Sequence, residues 1–188
     1  MSPKISSDEG EKEAILTVAR LMQVAAKTAP KALGADDVLT LLIYGEEKNA
    51  VAEEMNKIAS ERNADLFRRD AKNVMDSDAI LLIGVRGGKS LGTNCGACGY
   101  GSCKEFEETQ KKRGQDFIGP TCIFKALELG ISLGSAVKIA SILNVDNRIM
   151  YRIGAAAMRM GLIPEATVIM GIPLSAKSKN IYFDRRWP

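Results

Sequence analysis

The chain has 188 residues, a length suited to one domain with a full hydrophobic core. Hydrophobic residues make up 46% and charged residues 26%, which excludes a disordered chain and a helical membrane protein. The 26 basic and 23 acidic side chains alternate along the sequence for a net charge of +3, so charge gives no reason to expect a nucleic-acid partner. Histidine is absent, which rules out a Ser-His-Asp triad, a Cys-His pair and a His-Glu-x-x-His zinc site. Residues 1–9 carry no apolar segment of the signal-peptide type, so a reducing cytoplasm is the expected setting.

Ser6-x-x-Glu9 has the form of a capping box, and Ala14, Ile15, Val18, Leu21, Met22, Ala25 and Ala26 follow at the spacing of one helical face. This first helix is predicted to end near Pro30. Val38 to Tyr44 is a short apolar, β-branched run closed by Gly45, the pattern of a buried strand. A second helix presents Val51, Met55, Ile58 and Ala59 on its inner face. Ala79 to Val85 is apolar throughout and reads as the central strand. Past Cys122, Ile123 to Leu129 and Ser132 to Leu143 read as helical stretches broken at Gly130 and Gly134. A further helix from about Arg152 to Met160 stops at Gly161, and Ala166 to Ile172 is a third strand. The tail from Pro173 onward is expected to be irregular. With no internal repeat or linker, one α+β or three-layer domain over 1–188, interrupted by a cysteine-bearing loop at 86–124, is the economical architecture.

All four cysteines fall in that loop, as Cys95-x2-Cys98-x4-Cys103-x18-Cys122. Three close thiolates and a distant fourth suit a cubane, which needs one thiolate for each iron corner. Gly96, Gly99 and Gly101 let the chain curl around an inorganic core and leave backbone N–H groups for its sulfurs. A four-cysteine zinc site is the competing account, although zinc ribbons present two Cys-x2-Cys knuckles and here the second pair is spread over eighteen residues. Two disulfides are the remaining arrangement, and a cytosolic chain with an ordinary core has no need of them. Tyr100, among the ligands, is placed to shield a cluster from solvent.

The segment Asn94-Cys95-Gly96-Ala97-Cys98-Gly99-Tyr100-Gly101-Ser102-Cys103, with Cys122 downstream, resembles the [4Fe-4S] segment of the Rnf complex B subunit and of the corrinoid iron–sulfur protein. The whole chain resembles the "ferredoxin domain-containing" proteins of anaerobic bacteria and archaea. The stretches carrying that likeness are Ala29 to Ala32, the cysteine segment, Leu129 to Ala136, Val145 to Met150, Gly171 to Ser175 and Tyr182 to Arg185. Outside the cysteine segment, the helix ending at Ala29-Pro30, the strand Val38 to Tyr44, the helix after Gly130 and the Gly171-Ile172-Pro173 turn resemble a nitroreductase-type flavin domain. That likeness implies a three-layer α/β/α fold and a homodimer with FMN at the subunit interface, its phosphate held by Lys177 and Lys179. The Arg-Arg-Ser-x-Arg segment that such enzymes place before the first helix is absent.

Gly84-x2-Gly87-Gly88-Lys89-Ser90 invites a phosphate-loop reading, but the required first glycine is Ile83 and the segment opens no predicted helix. Lys177, Lys179, Arg185 and Arg186 are a solvated basic tail or a phosphate grip, while Phe183 and Trp187 point to a tail docked on apolar surface. Met150, Met158, Met160 and Met170 read as core filler, and Asp146-Asn147-Arg148 as a turn or a polar site. The expectation is a cytoplasmic protein with one [4Fe-4S] cluster on Cys95, Cys98, Cys103 and Cys122, passing electrons to a protein or small-molecule partner. The alternatives are an FMN-dependent reductase fed by that cluster and a zinc-stapled module.

Overall fold

The computed structural model of the protein describes residues 4–183. Helix α1 (Ser7–Thr28) begins where the Ser6 hydroxyl oxygen accepts the Glu9 backbone N–H at 3.3 Å. It stops short of Pro30, whose ring disfavours helical backbone at Ala29. Strand β1 (Val38–Tyr44) leads into α2 (Glu46–Arg62), where Val51, Met55, Ile58 and Ala59 are fully buried. Helix α3 (Asp65–Asp76) precedes β2 (Ala79–Val85), and all seven residues of β2 are buried.

Residues 86–122 contain the short helix α4 (Cys103–Glu108) and a two-stranded ribbon of β3 (Lys112–Arg113) and β4 (Ile118–Gly119). Helix α5 (Ile123–Ile142), β5 (Asp146–Asn147), α6 (Tyr151–Met160) and β6 (Val168–Ser175) complete the chain. Gly161 ends α6 in left-handed conformation at φ 68°, as predicted.

The main sheet has the order β1-β2-β6-β5 with every pair antiparallel. Alternate residues of β2 face opposite cores. Ile80 and Leu82 join α2, α3 and α6 on one side, and Leu81, Ile83 and Val85 join α1 and α5 on the other. The molecule is therefore α+β in three layers. Helices on both faces explain why β2 is apolar throughout, even though its neighbours are antiparallel.

Three predicted features change, and one helix lies outside the prediction. The segment around Arg68, Arg69 and Asp70 is helix α3, with Phe67, Ala71 and Val74 buried at helical spacing. Helix α5 runs unbroken through Gly130 and Gly134, because both face open space while Leu129, Leu133, Ala136 and Ala140 are buried between β2 and α1. The third strand is shifted and runs on to Ser175, so Pro173 lies inside it, paired with Ile80. The register of Gly171 with Met150 and of Leu174 with Asn147 sets Pro173 opposite Arg148, where the β5 ladder is interrupted, so the missing N–H costs no ladder bond. Asp146 and Asn147 are a short edge strand, not a turn.

Close approach fixes α6 against β6. A Cβ on Gly154 would lie 1.7 Å from the Ile169 carbonyl oxygen, and one on Gly171 would lie 2.1 Å from Ile153 Cγ2. The tail is held by Tyr182, which is buried with its hydroxyl 2.9 Å from Ser77 Oγ; that burial pushes the phenol up to about 12. Phe183 is exposed beneath the Arg148 guanidinium, 5.0 Å from its ring centre, and so is not docked on apolar surface. Arg185, Arg186 and Trp187 lie outside the described residues. Among the described residues, no helix is long and apolar enough to cross a membrane.

Candidate metal centre

The cysteine segment leaves the C-terminal end of β2 and returns at the first turn of α5. Its two ends are tied together: the Cys122 N–H donates to the Gly87 carbonyl at 2.8 Å, and the Gly87 N–H donates to Thr167 Oγ1 at 2.9 Å. Gly87 has no room for a side chain, since a Cβ would meet Thr167 Oγ1 at 2.5 Å and Thr121 Cγ2 at 2.6 Å. Within the segment the Asn94 N–H reaches Cys103 Sγ at 3.3 Å, and the Cys103 N–H returns to Asn94 Oδ1 at 2.8 Å. This pair closes residues 95–102 into a small ring of chain. Gly96 and Gly99, at φ 71° and 88°, make the turn inside it, with the Gly99 N–H on the Gly96 carbonyl.

Helix α4 is locked by a reciprocal cap. Ser102 Oγ accepts the Glu105 N–H, and the Glu105 carboxylate accepts the Gly101 N–H at 3.0 Å. Phe106 anchors the segment: it is fully buried, with the Tyr100 ring edge-on at 5.6 Å and the Lys111 ammonium 3.9 Å above its face.

Cys95 is exposed, Cys98 and Cys103 are half-buried and Cys122 is buried, all four as free thiols. The Asn94 N–H is hydrogen-bonded to the Cys103 sulfur, and the Ser90 hydroxyl and Gly92 N–H lend it weaker support. The Asn94 bond is the largest influence, and together the three donors hold this thiol below its ordinary pKa against a smaller effect of desolvation. Among the described residues, no three of His, Cys, Asp and Glu stand close enough together to hold a metal ion. The fold thus brings the two ends of the segment together without gathering the four sulfurs into one set. In number and kind the donors fit a cubane, with four thiols and the Asn94 N–H already directed at one sulfur.

Beside the centre lies a charged network that the sequence reading missed. Lys125, one turn after Cys122, is fully buried with its ammonium 3.1 Å from Asp37 Oδ2, 3.0 Å from Glu128 Oε2 and 3.1 Å from the Ala35 carbonyl. Asp37 also receives Lys89 from the cysteine segment at 3.2 Å, and Glu128 accepts the Ala32 N–H at 3.0 Å. Burial acts to raise the Asp37 carboxyl, but its two lysines outweigh it and hold the group low; burial likewise opposes, and the carboxylates still raise, Lys125. The signal available in the sequence was Lys125-x-x-Glu128 on the inner face of an otherwise apolar helix. Lys89, the lysine of the phosphate-loop reading, is committed to this network.

Lys177 is an exposed residue that pairs with Asp78 at 3.4 Å, and Lys179 is exposed as well. Asp78 precedes the first residue of β2 and the cysteine segment follows the last. At about 3.3 Å per residue the seven-residue strand separates them by about 20 Å. The structure therefore does not bring Lys177 and the cysteines together.

Residues 118–185 match a family described as "uncharacterized protein containing a ferredoxin domain". A protein of Archaeoglobus fulgidus is 45% identical over 181 residues, covering 96% of this chain and 97% of its own length. Among solved structures, the fold is similar to nitroreductase CinD from Lactococcus lactis in complex with nicotinic acid (TM-score 0.60, 11% identity, 87% of this chain and 79% of that one). It is also similar to the nitroreductase from Saccharomyces cerevisiae (TM-score 0.57, 13% identity, 88% and 83%) and to an FMN-bound nitroreductase from Desulfitobacterium hafniense (TM-score 0.55, 11% identity, 95% and 82%). Such identities speak for the fold alone. A nitroreductase-type three-layer fold carrying a four-cysteine segment, matched along nearly its whole length by an archaeal relative, places this chain in the family of uncharacterized proteins containing a ferredoxin domain.

Proposed function

We propose that the protein is an iron–sulfur electron carrier holding one [4Fe-4S] cluster on Cys95, Cys98, Cys103 and Cys122. The observation that carries the reading is a four-thiol segment whose two ends are tied at Gly87 and Cys122 and in which the Asn94 N–H already donates to Cys103 Sγ. Such a cluster takes up and releases one electron at a time with little rearrangement. The Asn94 and Gly92 N–H groups stabilise a thiolate at Cys103, while the Gly87 carbonyl holds the backbone of Cys122 at the mouth of α5. Ligand binding and local folding are coupled in metal loops, so a bound cluster would draw the thiols of Cys95, Cys98 and Cys103 toward that of Cys122.

Anaerobic purification with iron, sulfide, zinc and flavin measured on one sample tests this. Four irons and four sulfides per chain, with a brown band bleached by dithionite, are expected. Cys98→Ser is expected to lose or degrade that signal, and an unchanged spectrum in the variant refutes the ligand set. One zinc without sulfide overturns the reading altogether.

The nitroreductase-type fold favours a second reading, a flavin-dependent reductase in which the cluster supplies electrons to FMN. Protein that takes up no FMN when it is added excludes it. Both readings take the protein to be cytoplasmic, where thiols stay reduced, and homodimeric. Exposed Leu127 and Ile131 on α5 support the dimer. Sedimentation equilibrium checks it, with Ile131→Glu expected to give monomers.

A further inference from the structure

A cleft of 510 Å³ opens between the cysteine segment and the β3–β4 ribbon, lined among others by Tyr100, Lys112, Arg113, Phe117, Ile118 and Thr121. Its volume is that of a small-molecule site. Three observations define what it accepts. Lys112 and Arg113 are its charged lining residues, and no acid lines it. Arg113 is fixed in the wall by donating to the Met158 carbonyl at 3.1 Å, and Lys112 has no ion-pair partner among the described residues. The aromatic walls are held in place, Tyr100 edge-on to buried Phe106 and Phe117 edge-on to Tyr151 at 5.0 Å.

We propose that this cleft binds a small planar organic anion. Two uncompensated cations select negative charge, and the two supported rings with Ile118 and Val168 take up a flat apolar body. The place is set by the chain: Tyr100 stands between Cys98 and Cys103, and Thr121 directly precedes Cys122. A ligand here lies against the segment that carries the thiols. The site deepens the iron–sulfur reading by seating the small-molecule redox partner of that centre, while binding itself depends only on the cleft walls.

Titration calorimetry on the purified protein tests this with anthraquinone-2-sulfonate, a flat anion, and methyl viologen, a flat dication. The anion is expected to saturate one site per chain, and the dication is not. Lys112→Glu and Gln110→Glu, both on exposed wall positions that leave the fold intact, weaken the anion about tenfold and about threefold, since the first changes the local charge by two units and the second by one at a partly solvated site. Lys138→Glu, which makes the same net-charge change as Lys112→Glu on the distant part of α5, leaves binding unchanged. Failure of the anion to saturate, equal binding of the dication, or an equal loss in Lys138→Glu overturns the site. Iron and sulfide on the same sample separate the two readings. A cluster without anion binding removes the cleft alone, and binding without a cluster upholds the cleft and removes the iron–sulfur centre.

Discussion

Asp37, Lys125 and Glu128 are 4%, 0% and 2% exposed, and a charge left unpaired in such surroundings is strongly destabilising. Lys89 supplies the second positive charge, so the signs balance only as a set of four and each group depends on the others. Asp37 titrates below its ordinary value of 3.8 in the folded chain; its contribution is full above that pH and is lost as pH falls through the folded value. Lys125 titrates above 10.5, so its contribution is full below that pH and is lost as pH rises through the folded value. The network therefore stabilises the fold across the whole range between. Asp37→Asn is expected to cost about 3 kcal/mol at pH 7. Its urea midpoint should also fall less than that of the parent protein as pH drops below 4, because the titrating carboxyl is gone; an acid limb as steep as the parent's contradicts this. At this scale the Ser6 cap and the cysteine segment were legible, since both are local patterns of residue type. The network was not, because Asp37 and Lys125 are 88 residues apart in sequence and meet only in the folded chain.

Helices α5 and α6 show how differently glycine acts in two elements of one layer system. Gly130 faces open space on α5, so an added methyl group meets nothing, and Gly130→Ala is expected to raise stability by about 0.5–1 kcal/mol through the lost freedom of the unfolded chain. Gly154 lies where α6 touches β6, and its replacement drives a Cβ to 1.7 Å from the Ile169 carbonyl oxygen. Gly154→Ala is thus expected to lower the thermal midpoint sharply, by about 3 kcal/mol or more in stability if the helix cannot shift. Two variants with equal melting temperatures would contradict this account of both elements. The same contrast explains which elements could be read in advance. Strands β1 and β2 and helices α1 and α2 followed from hydrophobic spacing, whereas α5 was divided because glycine marks a break only when packing on its two sides is weak. Helix α3 was hidden by its run of charge, although Phe67, Ala71 and Val74 carry the period beneath it. The β6 strand was cut short at Pro173 because the gap in its neighbour's ladder is a property of the sheet.

At the scale of the molecule, the cysteine segment has a packing centre of its own beside the two cores, while Phe117 and Ile118 of its ribbon pack against the first of them. Every strand of the main sheet is covered by or joined to the two cores, yet Phe106, the largest fully buried side chain, belongs to neither of them. It packs with Tyr100 and Lys111 beneath residues 86–122, which otherwise meet the sheet through Gly87, Cys122, Lys89 and the β3–β4 ribbon. A satellite cluster of this kind opens with its own free energy, below that of the whole fold. Truncating Phe106 removes about 3–5 kcal/mol of packing from the satellite and nothing from the two cores. Phe106→Ala is therefore expected to retain the fold and, on the iron–sulfur reading, to lose the cluster, with hydrogen exchange accelerated from 86 to 122 and unchanged in β1, β2 and β6. Exchange that quickens equally in the sheet would mean that the segment and the scaffold unfold as one, and that the site cannot be loosened without the molecule.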